Sequence, residues 1–390
     1  MSRRTQFRKT TPRRVKFDPQ ETLGCKCDEC PLKSQPKVRP KAIHGAKLLI
    51  LEDNPFKSEE YLGIYRRNSN HAFVEHCAQS ASARDFDFAW TLLCRPDGLK
   101  DAELKKAIAC CSPQLEKSAE QAKVVLAAGH LAFTAATGLE GSPQPWLGTP
   151  TDARQGVAID GAVVIPTHTP WHVRSKAGSR LAGQFLAHVT RAAMLSDGRL
   201  SEFKWPEIIT EYDQALASDI IETARLGREI GLDLETRSTM EISCLSLAVD
   251  NIAMCFQYPF SSEVRETIQY VLDNSILVTQ NGPAFDHRVL RAHGFNVRSE
   301  NYESWNDTLL AASILDPQLA KNLGALVSDE FHARAHKAEY KLDEETGRMV
   351  GEWDSRNPEV EYKRRIYCAK DAWTTLMLWK MQKRRLERYV

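Results

Sequence analysis

The stretch R-E-I-G-L-D-L-E-T-R-S, residues 228–238, places two acidic residues, Asp233 and Glu235, two positions apart in an otherwise apolar run. The run has the length and composition of a β-strand, in which successive side chains point to opposite faces. Ile230, Leu232 and Leu234 therefore face one way, and both carboxylates face the other. Two like charges held this close repel each other unless a cation lies between them, so the pattern indicates a divalent-metal site.

Two motifs farther along the chain carry residues that would complete such a site. In N-G-P-A-F-D (281–286), Asp286 begins a predicted helix directly after the apolar strand I-L-V-T-Q. In Y-C-A-K-D (367–371), Tyr367 and Asp371 are four positions apart and share one face of a predicted helix. Four acids and a tyrosine, each on the expected element, predict one catalytic centre rather than unrelated surface acids.

These motifs resemble those of the DEDD-type 3′–5′ exonucleases of the ribonuclease-H-like fold. The resemblance is to the subgroup that uses tyrosine, as in the proofreading domains of family A DNA polymerases, and it covers about residues 205–390. It implies two Mg²⁺ or Mn²⁺ ions held by Asp233, Glu235, Asp286 and Asp371. It also implies that Tyr367 orients the attacking water, while Asn281 and Phe285 shape the site. A core residue without a role in the site is an equal alternative for Phe285.

The cysteines of the N-terminal half suggest a second metal centre. Cys27 and Cys30 form a Cys-x-x-Cys knuckle on a predicted loop, and Cys94 and Cys110 supply two more thiols. Four thiolates from two distant pairs suit a tetrahedral Zn²⁺ ion or a [4Fe–4S] cluster, and ligand type alone does not distinguish them. Two further cysteines are alternate ligands, Cys25 and Cys111. The other four are interpreted as small buried apolar residues: Cys77, Cys244, Cys255 and Cys368.

The sequence around these cysteines resembles family 4 uracil-DNA glycosylases over about residues 25–195. The matching segments are C-D-E-C-P-L, L-L-C-R-P-D-G, K-V-V-L-A-A-G and V-V-I-P-T-H-T-P-W. The resemblance implies an α/β/α sandwich of uracil-DNA-glycosylase type with a [4Fe–4S] cluster. Its ligands would be Cys27, Cys30, Cys94 and Cys110, with Zn²⁺ as the alternative occupant.

The chain departs from that family where glycosylase chemistry resides. The family's water-positioning loop corresponds to L-E-D-N-P-F, which retains Glu52 but lacks the glycines. The family's His-Pro motif corresponds to Thr169-Pro170, and His168, one residue earlier, would face the opposite side of its strand. We therefore expect Glu52, His168 and Thr169 to mark a vestigial site with weak or absent excision activity, in a domain retained for DNA binding or as a docking platform.

Length and composition fit a two-domain α/β protein of 390 residues, 42% hydrophobic and 26% charged. We predict a basic flexible arm (1–24), a glycosylase-like domain (25–197), a linker with a leading helix (198–227) and an exonuclease domain (228–390). The arm suits phosphate contacts, and it equally suits a solubilising tail. Because the sequence contains neither a membrane-spanning apolar run nor a signal-peptide core, we expect a cytoplasmic protein.

Several secondary-structure elements are predicted beyond the motifs. In the first domain, residues 47–52 and 123–129 are strands, and residues 156–167 form a hairpin that turns at Asp160-Gly161. In the second domain, three strands in succession precede a helix, a strand, a helix and a long final helix. Strands that alternate with helices indicate an α/β fold in each half.

The leading functional hypothesis is a metal-dependent exonuclease acting on DNA 3′ ends in proofreading or repair. Because no polymerase domain follows it, the protein would serve a family A-like polymerase carried on another chain. A second hypothesis is an accessory subunit that mainly binds the polymerase or a DNA end, and a third is an active uracil-DNA glycosylase. RNA as substrate stays open, because the same acids serve exoribonucleases.

Overall fold

The computed structural model describes residues 17–41, 45–153, 157, 159–200, 203–237, 240–297, 305–317, 320–333 and 356–388. The chain is a mixed α/β protein that divides into two compact units. The first comprises residues 1–147 and 151–199, and the second comprises residues 148–150 and 200–390. The basic residues of the N-terminal arm precede Phe17 and lie outside the described residues, so their contact with phosphates stays a prediction. Among the described helices, none is long and apolar enough to cross a bilayer.

The first unit is built around a five-stranded sheet. Its strands are β1 Leu48–Glu52, β2 Phe86–Trp90, β3 Val124–Ala128, β4 Thr151–Asp152 and β5 Val163–Thr167. Their order is β2-β1-β3-β5-β4, and only the β4 edge strand runs antiparallel to its neighbour. The helices are α1 Pro19–Leu23, α2 Lys57–Leu62, α3 Ser69–Ser80, α4 Asp101–Ala119, α5 His130–Thr137, α6 Pro170–Arg174 and α7 Ala182–Ser196.

Both faces of this sheet are buried, which is why its central strands are continuously apolar rather than alternating. On β1, Leu48 and Ile50 enter one hydrophobic cluster together with Phe185 of α7. Leu49 and Leu51 enter a second cluster on the other face, together with Leu115 of α4. The predicted strands at residues 47–52 and 123–129 are therefore confirmed as the interior of an α/β unit.

Of the first arm of the predicted hairpin over residues 156–167, positions 156 and 158 lie outside the described residues, and positions 157 and 159 do not form a strand. The second arm of the hairpin is β5, but the described antiparallel partner of β5 is β4, at Thr151–Asp152. Residues 157 and 159 are bends, and Asp160-Gly161 is a turn with Gly161 in the left-handed region at φ 77°. The apolar alternation misled the prediction because Ile159 packs into the core from a loop, not from a strand.

The second unit contains a six-stranded mixed sheet of order β11-β10-β7-β8-β9-β6. Its strands are β6 Glu207–Ile209, β7 Glu229–Thr236, β8 Ile242–Val249, β9 Ile252–Gln257, β10 Ile276–Thr279 and β11 Trp305–Asp307. β7, β8 and β9 pair antiparallel, and the other neighbours pair in parallel. The helices are α8 Gln214–Arg225, α9 Ser262–Asn274, α10 Asp286–Ala292, α11 Thr308–Leu315, α12 Leu323–Phe331 and α13 Pro358–Leu386.

The predicted order of three strands, helix, strand and helix is confirmed in this unit, as is the long final helix, but the prediction missed β11, α11 and α12, which lie between α10 and that helix. The segment predicted as a linker with a leading helix, residues 198–227, contains the expected helix α8. It also contains the short strand β6, which pairs in parallel with β9 at the sheet edge. This strand, Glu207–Ile209, is only three residues long, which is too short to show the alternation of apolar and polar residues that predicts a strand.

The two faces of β7 enter different surroundings. Ile230, Leu232 and Leu234 pack in a hydrophobic cluster that includes Ile268 of α9. The other face carries Asp233 and Glu235 and lies against α13. The alternation seen in the sequence therefore separates a packed core from a polar face beneath the final helix.

Candidate metal centre and cysteine sites

Three of the predicted metal ligands converge on the polar face of β7. One carboxylate oxygen from each of Asp233, Glu235 and Asp371 lies within 4.8 Å of the other two. The first two residues come from one strand, and Asp371 comes from the middle of α13, far along the chain. Convergence of like charges from separate elements is costly without a cation, so the arrangement indicates a cation-binding centre.

A glycine allows α13 to come this close to β7. A Cβ atom added at Gly231 would overlap the backbone carbonyl oxygen of Ala372 and press on the side chain of Leu376. The thiol of Cys368 also donates to the backbone carbonyl of Asp233, with a sulfur-to-oxygen distance of 3.4 Å. The spacing between Asp233 and Asp371 therefore depends on a backbone approach that other residues at position 231 would prevent.

Asp286 lies beside this group, at the first residue of α10 as predicted, and it is buried. Burial, together with the charges of Glu235 and Asp307, raises the pKa of Asp286 to about 8. Hydrogen bonds from its own backbone N–H and that of Leu234 act in the opposite direction. The bond to Leu234 places the fourth predicted ligand next to β7, although it is not one of the three residues whose oxygens lie within 4.8 Å of one another.

Tyr367 and Asp307 are two further residues to consider near the carboxylate centre. Tyr367 is one helical turn before Asp371 on α13, and its side chain is buried. Asp307 caps α11 by accepting hydrogen bonds from Leu309 and Leu310, and the same Oδ1 accepts the N–H of Asn281 at 3.2 Å. Asn281 has a left-handed backbone, at φ 64°. Asp307 thus fixes the loop that leads to Asp286, a role that the sequence did not reveal because the acid looks like an ordinary helix cap.

The donor set fits a hard divalent ion. Carboxylate oxygens are the ligands that Mg²⁺ and Mn²⁺ prefer, and Asp233, Glu235 and Asp371 present them close together. Asp286 adds a carboxyl whose ionisation is disfavoured in the ion-free protein. A bound cation would reverse that preference, because opposite charge stabilises the ionised form.

Replacing Asp286 by asparagine is expected to stabilise the ion-free protein at alkaline pH. The folded protein resists ionisation of Asp286 up to about pH 8, whereas the unfolded side chain ionises near pH 4. The unfolding free energy of the unmodified chain therefore decreases as the pH rises from about 4 to about 8. Asparagine does not ionise, so the variant does not show this decrease. Urea unfolding in EDTA at pH 5 and pH 8.5 measures the effect, which should be larger at pH 8.5.

Mg²⁺ supplies the matched control for this prediction. It should raise the unfolding free energy of the unmodified chain more than that of Asp286→Asn, because the ion binds the folded carboxylates. A stability difference between the two chains that is independent of pH would contradict the assigned environment of Asp286.

In the first unit, the predicted cysteine ligands line one cavity, although among the described residues they are not a group whose sulfur atoms all lie within 4.8 Å of one another. Cys27, Cys30, Cys94 and Cys110 line one small cavity, and the alternate ligand Cys111 lines it too. The N–H of Lys26 donates to the carbonyl of Cys110 at 2.9 Å, which ties the N-terminal loop to α4. The other alternate, Cys25, lies next to Cys111 and interacts with its thiol.

The electrostatics of this cavity suit a thiophilic cation. Burial, together with the neighbouring thiols, raises the pKa of Cys27 to about 11 and that of Cys94 to about 12. Such thiols stay protonated without a cation and become thiolates when one binds. Soft sulfur donors from three chain segments fit either Zn²⁺ or an iron–sulfur cluster, and the choice between them stays a prediction.

The predicted vestigial glycosylase residues do not share one place. Glu52 and Thr169 line a cavity of about 360 Å³ together with Arg95 and Trp171. His168 is not among the lining residues, and its ring lies 6.5 Å from that of His188. His168 follows the last residue of β5, where alternation directs it away from the cavity.

The two predicted residues that line the cavity, Glu52 and Thr169, each contact another residue of the first unit. Glu52 is buried, with its Oε2 atom 3.3 Å from Nε2 of His71. The hydroxyl of Thr169 accepts the N–H of His172 and caps α6. Asp53, which the sequence did not single out, also lines the cavity; burial raises its pKa to about 6, while the N–H of Ala132 donates to it.

Comparison with known proteins gives matches only among solved structures. No protein-family model matches the chain, and neither does any curated protein. Escherichia coli RNase D, an exoribonuclease involved in structured RNA processing, aligns at 19% identity over 48% of this chain and 46% of that chain, with a TM-score of 0.35. The Aedes aegypti Nibbler EXO domain aligns at 16% identity over 49% of this chain and 92% of that chain, with a TM-score of 0.33.

The catalytic core of RRP6 from Trypanosoma brucei aligns at 17% identity, with a TM-score of 0.33. The alignment covers 49% of this chain and 50% of that chain. This chain therefore spans about half the length of the RNase D and RRP6 chains. None of these three structures is a glycosylase, so the resemblance of the first unit to that family stays a prediction.

Proposed function

We propose that the second unit is a divalent-metal-dependent 3′–5′ exonuclease that hydrolyses phosphodiester bonds at nucleic-acid 3′ ends. The observation that carries this proposal is the convergence of Asp233, Glu235 and Asp371 beneath the final helix. Asp286 lies beside them, and the charge of Glu235 acts on its carboxyl group. These residues belong to three motifs that lie far apart in the sequence, so their meeting at one place supports a shared function.

The chain's own residues have distinct roles in this chemistry. Asp233, Glu235, Asp286 and Asp371 would hold two divalent ions, which supply an activated water and stabilise the leaving 3′-oxygen. Tyr367 would orient the attacking water by hydrogen bonding, since a phenol with a pKa near 10 is a weak base. Asp307 is a positioning residue, because it fixes the loop from Asn281 to Phe285. Phe285 is exposed at the start of α10, where it can contact the terminal nucleotide.

DNA is the proposed substrate, and the argument comes from the first unit. Its cavity combines the basic Arg95 with Trp171, whose side chain is 64% exposed. A cationic group next to an exposed aromatic ring suits a phosphate and an unpaired base. We assign this unit a DNA-binding role with weak or absent uracil excision, because Thr169 caps a helix and His168 lies outside the cavity. A separately encoded polymerase is the proposed partner, for which the exonuclease would proofread.

One incubation tests both units. Purified full-length protein is mixed with a labelled DNA strand, the same strand with one internal uracil, and a matched RNA strand, each with Mg²⁺ or EDTA. We expect nucleoside monophosphates released from the 3′ end of DNA in Mg²⁺, no release in EDTA, and little abasic product. Faster digestion of RNA would overturn the DNA assignment, and absence of all digestion would favour the accessory-subunit hypothesis. Efficient abasic-site formation would instead support an active glycosylase.

A further inference from the structure

Three buried cysteines of the second unit meet at one point, which the sequence did not indicate. Their sulfur atoms lie within 4.8 Å of one another: Cys244 of β8, Cys255 of β9 and Cys368 of α13. All three side chains are at most 1% exposed. In the β8–β9 ladder Cys244 pairs with Gln257 and Cys255 pairs with Ser246, so both cysteines occupy the face of the sheet covered by α13.

The spacing of the sulfurs matches a metal-thiolate centre. A thiophilic ion holds thiolates at about 2.3 Å, so three sulfurs around one ion are about 4 Å apart. The observed limit of 4.8 Å requires only a small contraction of the side chains. The three sulfur donors come from three different elements, so their meeting depends on how α13 packs on β8 and β9.

Positive charge is available to compensate thiolates here. Arg364 is fully buried, donates to the hydroxyl of Ser243 at 2.6 Å and lies near enough to Cys244 for their charges to interact. Arg365 donates to the carbonyl of Thr210 at 2.7 Å, and its charge acts on Cys255. Burying the guanidinium of Arg364 is costly, and an anionic thiolate centre would offset that cost together with the charges of Glu235 and Glu361.

We propose that Cys244, Cys255 and Cys368 form a buried thiolate site for one soft closed-shell ion, Cu⁺ or Zn²⁺. Binding would convert the thiols to thiolates, release their protons to solvent and join β8 and β9 to α13 through three metal–sulfur bonds. The site differs in chemistry from the carboxylates, since sulfur selects soft ions and oxygen selects Mg²⁺ or Mn²⁺. It does not depend on the proposed exonuclease activity.

Metal stoichiometry tests the proposal. Full-length protein with Cys27→Ser and Cys30→Ser, which weakens the other cysteine cavity, is compared with the same protein that also carries Cys244→Ala, Cys255→Ala and Cys368→Ala. Each is loaded anaerobically with Cu⁺ or with Zn²⁺ against a competing chelator, and the bound metal is measured after gel filtration. We expect the first protein to hold one more equivalent of at least one of the two metals. Equal stoichiometry for both metals would overturn the proposal.

A single substitution keeps the test valid if the multiple variant does not fold. In the Cys27→Ser/Cys30→Ser background, the metal that binds should raise the melting temperature and produce a thiolate-to-metal absorption band. Adding Cys255→Ala alone, with folding checked by circular dichroism, should remove both effects. An unchanged melting shift and band in that variant would overturn the proposal, because the remaining metal response would then come from other residues.

Discussion

Alanine at position 233 is expected to abolish Mg²⁺-dependent release of nucleotides from 3′ ends while the protein remains folded. Asp233 shares the centre with Glu235 and Asp371. Its loss removes one of the carboxylates proposed to bind the divalent metal ions at the reaction site. Metal stabilisation of the transition state amounts to several kcal/mol, so the rate should fall by about a thousandfold or more. Initial rates on a 3′-labelled strand at saturating Mg²⁺ measure this change.

Asp219→Ala is the matched control for that experiment. Asp219 is an exposed acid on α8 in the same unit, so its loss removes one negative charge without touching the centre. We expect normal activity for this variant and unchanged circular dichroism spectra for both. Activity of Asp233→Ala above about one tenth of the control would contradict the assigned role, since a metal ligand contributes more than one factor of ten.

Much of this site follows from local sequence patterns. The two-residue spacing of Asp233 and Glu235 specifies one strand face, and the four-residue spacing of Tyr367 and Asp371 specifies one helix face. The motif around Asp286 also indicates its own element, because this residue begins a helix that follows a buried strand. Local periodicity therefore identifies which side chains are presented together on each element, and a family resemblance is needed to bring the elements to one centre.

Other features depend on contacts that no local pattern encodes. Cys244, Cys255 and Cys368 each look like a small core residue, and only the packing of α13 on two strands brings their sulfurs together. From the sequence, Asp307 has the position of an ordinary helix cap. Its hydrogen bond from the N–H of Asn281 is a tertiary contact that the local sequence does not encode. The incorrect hairpin prediction also arose from a tertiary contact. Ile159 is apolar because it packs into the hydrophobic core from a loop, and not because it belongs to a strand.

Alanine at position 231 is expected to impair both stability and activity, although it adds only one methyl group and no charge. Its Cβ atom would overlap the carbonyl oxygen of Ala372, a backbone atom of α13 that cannot rotate away. Overpacking of this kind costs about 1–3 kcal/mol of unfolding free energy. The helix must shift outward, and it carries Asp371 and Tyr367 with it. Displacement by about 1 Å can lower a catalytic rate about a hundredfold.

Urea unfolding and the exonuclease rate per folded molecule measure the two consequences separately. Gly227→Ala is the control, because Gly227 has a left-handed backbone, at φ 61°, and no heavy atom lies within 4 Å of an added Cβ. That substitution should cost about 1–2 kcal/mol through backbone strain alone and leave the rate per folded molecule unchanged. Equal rates for the two variants would show that the approach of α13 to Gly231 does not set the spacing of the acids. A rate lost only in Gly231→Ala would establish that the catalytic geometry depends on a residue that has no side chain.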